Sequence, residues 1–129
     1  MGAQQVEIIQ RGIESANLQI TSLNDSPKLC ANFDSRNSVG DNVWIQVFAG
    51  TVNAMYPFGD EPLQRLRSIG VDVPAGVELT EWEPNNFATF SVENVSTRDQ
   101  AEFVDQLFVR LLACVEGVYE LESTIEDLE

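Results

Sequence analysis

Apolar residues return along this chain with two different periods, and the changes of period mark out its elements. Val6, Ile9 and Ile13 recur close to the i, i+3, i+7 spacing of one helical face, which predicts a short helix over Ala3 to Glu14. Glu7, Gln10, Arg11 and Glu14 then lie toward water, and Gly12 weakens that helix by up to about 1 kcal/mol relative to alanine. Leu18 to Leu23 reads as a strand or an extended approach, closed by the turn sequence Asn24 to Pro27. From Lys28 to Asp34 the period becomes two, with Leu29, Ala31 and Phe33 on one side and Cys30, Asn32 and Asp34 on the other. Val43 to Ala49 is the strongest strand signal. Val43, Ile45 and Val47 point one way, Trp44 and Phe48 the other with Gln46 between them, so both faces are apolar. Thr51 to Phe58 follows Gly50 as its hairpin partner, and Pro57, which has no N–H to offer a ladder, ends the pairing.

In the second half, Asp60 reads as a helix N-cap, with Pro62 in the first turn and Gly70 past the end; Leu63, Leu66 and Ile69 form the stripe. Val77 to Trp82 and Phe87 to Val92 flank the turn sequence Glu83 to Asn86 and predict a second hairpin. Thr97 with Gln100 makes a capping box for a last helix. Its stripe runs through Phe103/Val104, Leu107/Phe108 and Leu111/Leu112 to Val115 and Val118/Tyr119. From Glu116 onward there are six acids and no base, which reads as a solvated, partly frayed tail. The expected order is α-β-β-β-α-β-β-α, a two-layer α+β sandwich with a mainly antiparallel sheet and helices on one face. It forms one domain over residues 1–121, followed by an acidic tail over 122–129.

Charge and composition narrow the function. The chain has 129 residues, 21 acids, 7 bases and no histidine, for a net charge of −14. Residues 1–58 carry five acids and three bases and residues 59–129 sixteen and four, so the acidity belongs to the second half. Nucleic acid and anionic membrane surfaces need a basic footprint and are not expected as partners. The missing histidine removes the commonest general base and metal ligand. No GxxxxGK loop is present, and Lys28 is the only lysine available to a Ser–Lys dyad. The two cysteines, Cys30 and Cys114, form no CxxC and are expected as buried free thiols, with a disulfide left open because spacing does not fix distance. Met1 to Gly12 shows no basic n-region followed by an apolar run, Val6 stands where a myristoylation motif needs Ser or Thr, and no apolar run approaches the roughly 20 residues of a membrane helix. Cytoplasmic residence is the expectation.

Candidate chemistry is sparse. Asp34, Asn37 and Asp41 invite a calcium loop, but Arg36 falls where a ligand should be and Gly40 is misplaced, so Ser35 to Asn42 reads as a hairpin loop. Asp60 and Glu61 fit capping. Glu78, Glu81 and Glu83 around Trp82 admit a carboxylate site for a sugar or cation, weighed against a solvated strand edge, which acids protect from aggregation. No catalytic, cofactor or metal residue is assigned, and no cofactor is expected. The anomaly is Trp44 and Phe48 on the face opposite Val43, Ile45 and Val47. Either the last helix or the second hairpin covers them within the monomer, or a second copy or protein ligand does, with Trp82 and Phe90 joining the same patch.

The order of elements, the acidity and the long last helix resemble the class I type III secretion chaperone fold. The resemblance extends to related bacterial chaperone-like and sensory-regulator-like domains. The segments that carry it are WIQVFAG (Trp44 to Gly50), DEPLQRLRSIGVDVP (Asp60 to Pro74), NNFATFSV (Asn85 to Val92) and AEFVDQLFVRLLACVEGVYEL (Ala101 to Leu121). It covers roughly residues 28–121; Leu18 to Pro27 has no counterpart. The resemblance implies a homodimer that binds an extended segment of a partner protein, and it implies no catalytic residues. The leading expectation is therefore a non-enzymatic chaperone-like protein-binding module that is homodimeric. The alternative is an acidic inhibitor or immunity-type protein that caps a basic site on a partner enzyme. A third reading, an enzyme using carboxylates with a divalent metal at Glu78, Glu81 or Asp60, stands behind both.

Overall fold

The computed structural model describes residues 3–22, 29–48, 50–116 and 118–127. Helix α1 spans Ala3–Ser22, running past the expected end at Glu14. The residues from Leu18 to Ser22, read from sequence as extended, continue the helix: between Ile13 and Ser22 there is no Gly or Pro to stop it, and each added residue gains a hydrogen bond. Leu23 and the expected turn Asn24 to Pro27 lie outside the described residues. Three strands follow as a meander, β1 (Leu29–Arg36), β2 (Asn42–Phe48) and β3 (Thr51–Tyr56). The β1–β2 loop is closed by Asn37, whose Oδ1 accepts from the N–H groups of Val39 (3.1 Å) and Asp41 (2.9 Å).

Helix α2 (Pro62–Ser68) is capped by Glu61 rather than Asp60; the Glu61 carboxylate accepts from Leu63 N–H and Gln64 N–H. Asp60 instead accepts from Arg65 Nε at 2.7 Å and from the Tyr56 hydroxyl at 3.2 Å, and the Arg65 hydrogen bond holds its carboxyl below the usual range. β4 (Glu78–Glu83) and β5 (Asn86–Ser91) form the second hairpin, with Asn85 at a positive φ of 61° in its turn. Helix α3 (Thr97–Gln106) begins one residue earlier than its sequence signature: Ser96 is the extended N-cap and its hydroxyl accepts from Asp99 N–H at 3.1 Å. The freed Gln100 side chain donates to the carbonyls of Val92 and Val95.

The end of α3 differs most from expectation. The helix widens into a π turn over Leu107–Leu111, with Leu112 N–H bonding the Leu107 carbonyl. Ala113 then takes a φ of 66°, and the chain reverses before Gly117 is reached. The apolar stripe therefore ends at Leu112; Val115 and Val118, assigned to it from spacing, are exposed. Tyr119 folds back onto Phe108 (5.5 Å between rings), and its hydroxyl donates to the buried Asp105 at 2.5 Å. The expected solvated tail becomes β6 (Glu122–Asp127), antiparallel to β1.

The result is a six-stranded antiparallel sheet in the order β4-β5-β3-β2-β1-β6. The α+β class and the order α-β-β-β-α-β-β-α are as expected, with β6 added. Helices α1 and α3 pack on each other and bury one face of the sheet. Val6, Ile9 and Ile13 meet Phe33, Ile45, Val52 and Phe90 there, with Phe103, Leu107 and Phe108 from the last helix. Cys30 and Cys114 are both buried as thiols and are not joined in a disulfide. Among the described residues no helix is long and apolar enough to cross a membrane.

Candidate functional site

A strand sends successive side chains to opposite faces. Each residue between two core positions of β1, β2, β3 and β5 therefore emerges on the face away from the helices. The register arranges these residues in rows across the sheet. The central row is polar and crosses every strand: Thr124, Asn32, Gln46, Asn53, Thr89, Glu81. Gln46 Nε2 donates to Asn32 Oδ1 at 3.0 Å, Asn53 Nδ2 to Gln46 Oε1 at 3.3 Å, and the Thr89 hydroxyl to Asn53 Oδ1 at 3.0 Å. The Cys30 thiol also donates to Asn32 Oδ1, at 3.4 Å. The face is thus crossed by a ladder of side chains that bond one another.

Beside the ladder runs an apolar row. Asp34 opposes Trp44 and Met55 opposes Phe87; because Ile45 opposes Ala54, Trp44 and Met55 stand next to each other on this face. Trp44, Met55 and Phe87 are all half-buried. Glu122 pairs with Asp34 at one end of the row and Glu83 with Phe87 at the other. On the far side of the ladder Phe48 opposes Thr51.

Both edges of the sheet are acidic on this face. In a regular strand Glu78 and Glu81 would point to opposite sides. A bulge between Leu79 and Glu81 shifts the register, so Glu78, Glu81 and Glu83 pair with Ser91, Thr89 and Phe87, all open-face positions. These three glutamates are exposed. Asp34, Asn32, Trp44, Gln46 and Thr124 surround a hollow of about 340 Å³ between β1 and β2. Partial burial, together with the charge of Glu122, raises the Asp34 carboxyl above its ordinary value. Among the described residues the ion pairs are Glu7–Arg11, Asp60–Arg65 and Glu102–Arg98, none of which involves Asp34 or Glu122. Arg36, two residues along from Asp34, turns its guanidinium to the Gly40 carbonyl at 3.5 Å.

Of the four residues singled out from sequence, Trp44 and Phe48 lie on this open face with Gln46 between them, and neither the last helix nor the second hairpin packs over them. Trp82 and Phe90 do not join them. Phe90 is fully buried, edge-on to Phe103 with 5.5 Å between ring centroids. Trp82 is half-buried against the core and edge-on to Tyr56 at 6.0 Å. The reason is the register: Leu79 opposes Phe90 and Trp82 opposes Ala88, while Phe90 and Ala88 oppose the core residues Val52 and Ala54. Sequence reasoning missed Met55, Phe87 and the amide ladder. Their only sequence signal is an Asn or Gln at the outward position of three successive strands, and it acquires meaning once the register is known.

Among the described residues no group of three or more His, Cys, Asp or Glu side chains is placed to hold a metal ion. No protein-family model, curated protein or solved structure matches the chain.

Proposed function

We propose that the chain is a non-enzymatic, chaperone-like protein-binding module whose open sheet face receives a segment of a partner protein. The observation that carries this reading is the row Trp44, Met55 and Phe87, three large half-buried side chains in line on a face that the helices leave uncovered. Half-exposed aromatics give a partner broad, rigid contact area at small entropic cost. The neighbouring amides already bond one another, so covering them leaves few polar groups without a partner. From β4 to β6 the face is about 24 Å wide at roughly 4.8 Å per strand, enough for an extended segment of about seven residues. A different protein is a better fit than a second copy of this chain. Both edges of the face carry glutamates and the chain has a net charge of −14, so stacking two such faces sets acid against acid.

The test is panning of a random peptide library displayed on phage, against wild type and against a Trp44→Ser, Phe87→Ser double variant. Enriched peptides should share apolar anchors and lose binding to the double variant, while both proteins unfold cooperatively. Enrichment that the double variant retains in full would remove the open face from consideration.

A further inference from the structure

The hollow beside Trp44 has a composition that selects one kind of side chain. Resting on the reading of the open face as the binding surface, we infer that this hollow receives an arginine side chain of the partner. Its wall includes the Asp34 carboxylate on β1 and, directly across the register, the Trp44 indole on β2. Thr124 contributes a hydroxyl, and Glu122 stands next to Asp34 on the edge strand. A guanidinium is planar and presents its N–H groups in a fork. It can stack flat on the indole face and bond the carboxylate with its fork at the same time, whereas a lysine ammonium is a point charge with neither the plane nor the fork. Gln46 Oε1 accepts one bond, from Asn53, and a carbonyl oxygen has room for a second.

Among the described residues no cation is ion-paired with Asp34 or Glu122. Among the described residues the arginines nearest in sequence are committed elsewhere, Arg11 to Glu7 and Arg36 to the Gly40 carbonyl. The raised Asp34 carboxyl is the electrostatic counterpart: partial burial penalises its charge first, and repulsion from Glu122 on the same edge adds to that. A partner guanidinium would relieve that repulsion on binding, and so gains at this position more than at an isolated surface carboxylate.

The probe is a synthetic heptapeptide, acetylated and amidated, with arginine first and leucine, valine and phenylalanine spaced behind it. Its twin carries citrulline, which is neutral and nearly the same shape. Binding is read by fluorescence polarisation on the full chain at about 150 mM salt. The arginine peptide should bind at least ten-fold more tightly than the citrulline twin. Asp34→Asn should abolish that difference, while Glu102→Gln on the helix layer should change it less than two-fold. Asp34 is exposed, so Asp34→Asn should melt at or above the wild-type temperature, which separates lost binding from lost folding.

Equal binding of the two peptides to wild type overturns the inference, as does equal weakening by Asp34→Asn and Glu102→Gln, which is what diffuse steering alone would produce. Absence of binding by the arginine peptide up to millimolar concentration also overturns it. Two outcomes separate this inference from the reading beneath it. If Trp44→Ala removes binding of both peptides while Asp34→Asn changes neither, the face stands and the arginine falls. If Trp44→Ala and Phe87→Ala both leave binding intact, the face itself falls. A wild-type dimer that Trp44→Ala dissolves would seat a second copy there and overturn the foreign arginine.

Discussion

On the helix side of the sheet, β2 contributes Val43, Ile45 and Val47, all closed off from water; on the other side the same strand contributes Trp44, Gln46 and Phe48, all half-buried. Both sets contain large apolar groups, so hydrophobicity alone does not separate core from surface. The separation comes from what lies between the apolar residues. The central rows of the helix face are apolar across β1, β2, β3 and β5, and α1 and α3 close over them. The outer face interleaves its aromatics with amides that bond across strands, which breaks up its apolar surface. A sheet can therefore carry one face for folding and another for contact, and each prediction below bears on that division.

The largest contrast is between two aromatics that sequence reasoning placed in one patch. Phe90→Ala should cost about 3–5 kcal/mol, since it empties a fully buried site against Phe103. Trp44→Ala should cost less than about 1 kcal/mol, because its side chain faces the uncovered side. Urea denaturation of both variants measures the difference. Equal costs would mean that the outer face is core as well, and the division would be lost.

A smaller effect sharpens the helix side. In an ordinary helix interior, Gly→Ala gains about 1 kcal/mol. At Gly12 an added Cβ would stand 2.8 Å and 2.9 Å from ring atoms of Phe33, which is fully buried and cannot swing away freely. Overpacking of this kind costs about 1–3 kcal/mol and outweighs that gain, so Gly12→Ala should be net destabilising by up to about 2 kcal/mol. A rise in melting temperature would show that α1 rests more loosely on the sheet than the contact distances indicate.

Gly12 also illustrates what was legible. From sequence it is only a weak point in a helix; its role as the place where α1 approaches Phe33 depends on a tertiary contact. The strands β1 to β5 and helix α2 were readable because their periods are short and Gly, Pro and Asn punctuate them. Three features were not. β6 is acidic and carries little apolar signal, so only its pairing with β1 reveals it. The turn at Ala113 breaks a stripe that spacing would extend through Val118, and nothing in an alanine announces a positive φ. The β4 bulge decides which side Trp82 faces, and a single inserted residue reverses any inference from alternation.

The amide ladder admits a test of comparable size in solution behaviour but smaller in stability. Replacing Gln46 and Asn53 together with valine removes both members of one bond and takes one further bond each from Asn32 and Thr89. These groups are half-exposed and can turn to water, so stability should change by no more than about 1 kcal/mol. The face would become continuous apolar surface, and the double variant should associate with rising concentration in sedimentation velocity while wild type does so less. Unchanged sedimentation would show that the charged edges, not the amides, protect the face.

The smallest effect compares one acid from each side. Asp105, on α3 in the helix layer, has its carboxyl raised by burial, a shift that the Tyr119 hydroxyl partly offsets and Glu116 reinforces; Asp34, on the open side, is raised by burial and then by Glu122. In both cases the folded chain holds the proton more tightly than the unfolded chain, whose aspartates titrate near the ordinary value of 3.8. The resulting stability is fully present below that value and is lost as pH rises through the folded values. Asp60 runs the other way, its carboxyl lowered by Arg65, but its window lies below the ordinary range and does not overlap. The urea midpoint should therefore be higher just above the ordinary aspartate value of 3.8 than at neutral pH. Because the net charge of −14 also relaxes in acid, the variants isolate the sites: Asp105→Asn should flatten the pH dependence more than Asp34→Asn, since Asp105 is closed off while Asp34 still reaches water. Equal flattening by the two would mean that the helix layer shields its carboxylate no better than the open face does, which is the one electrostatic difference the two sides are built to show.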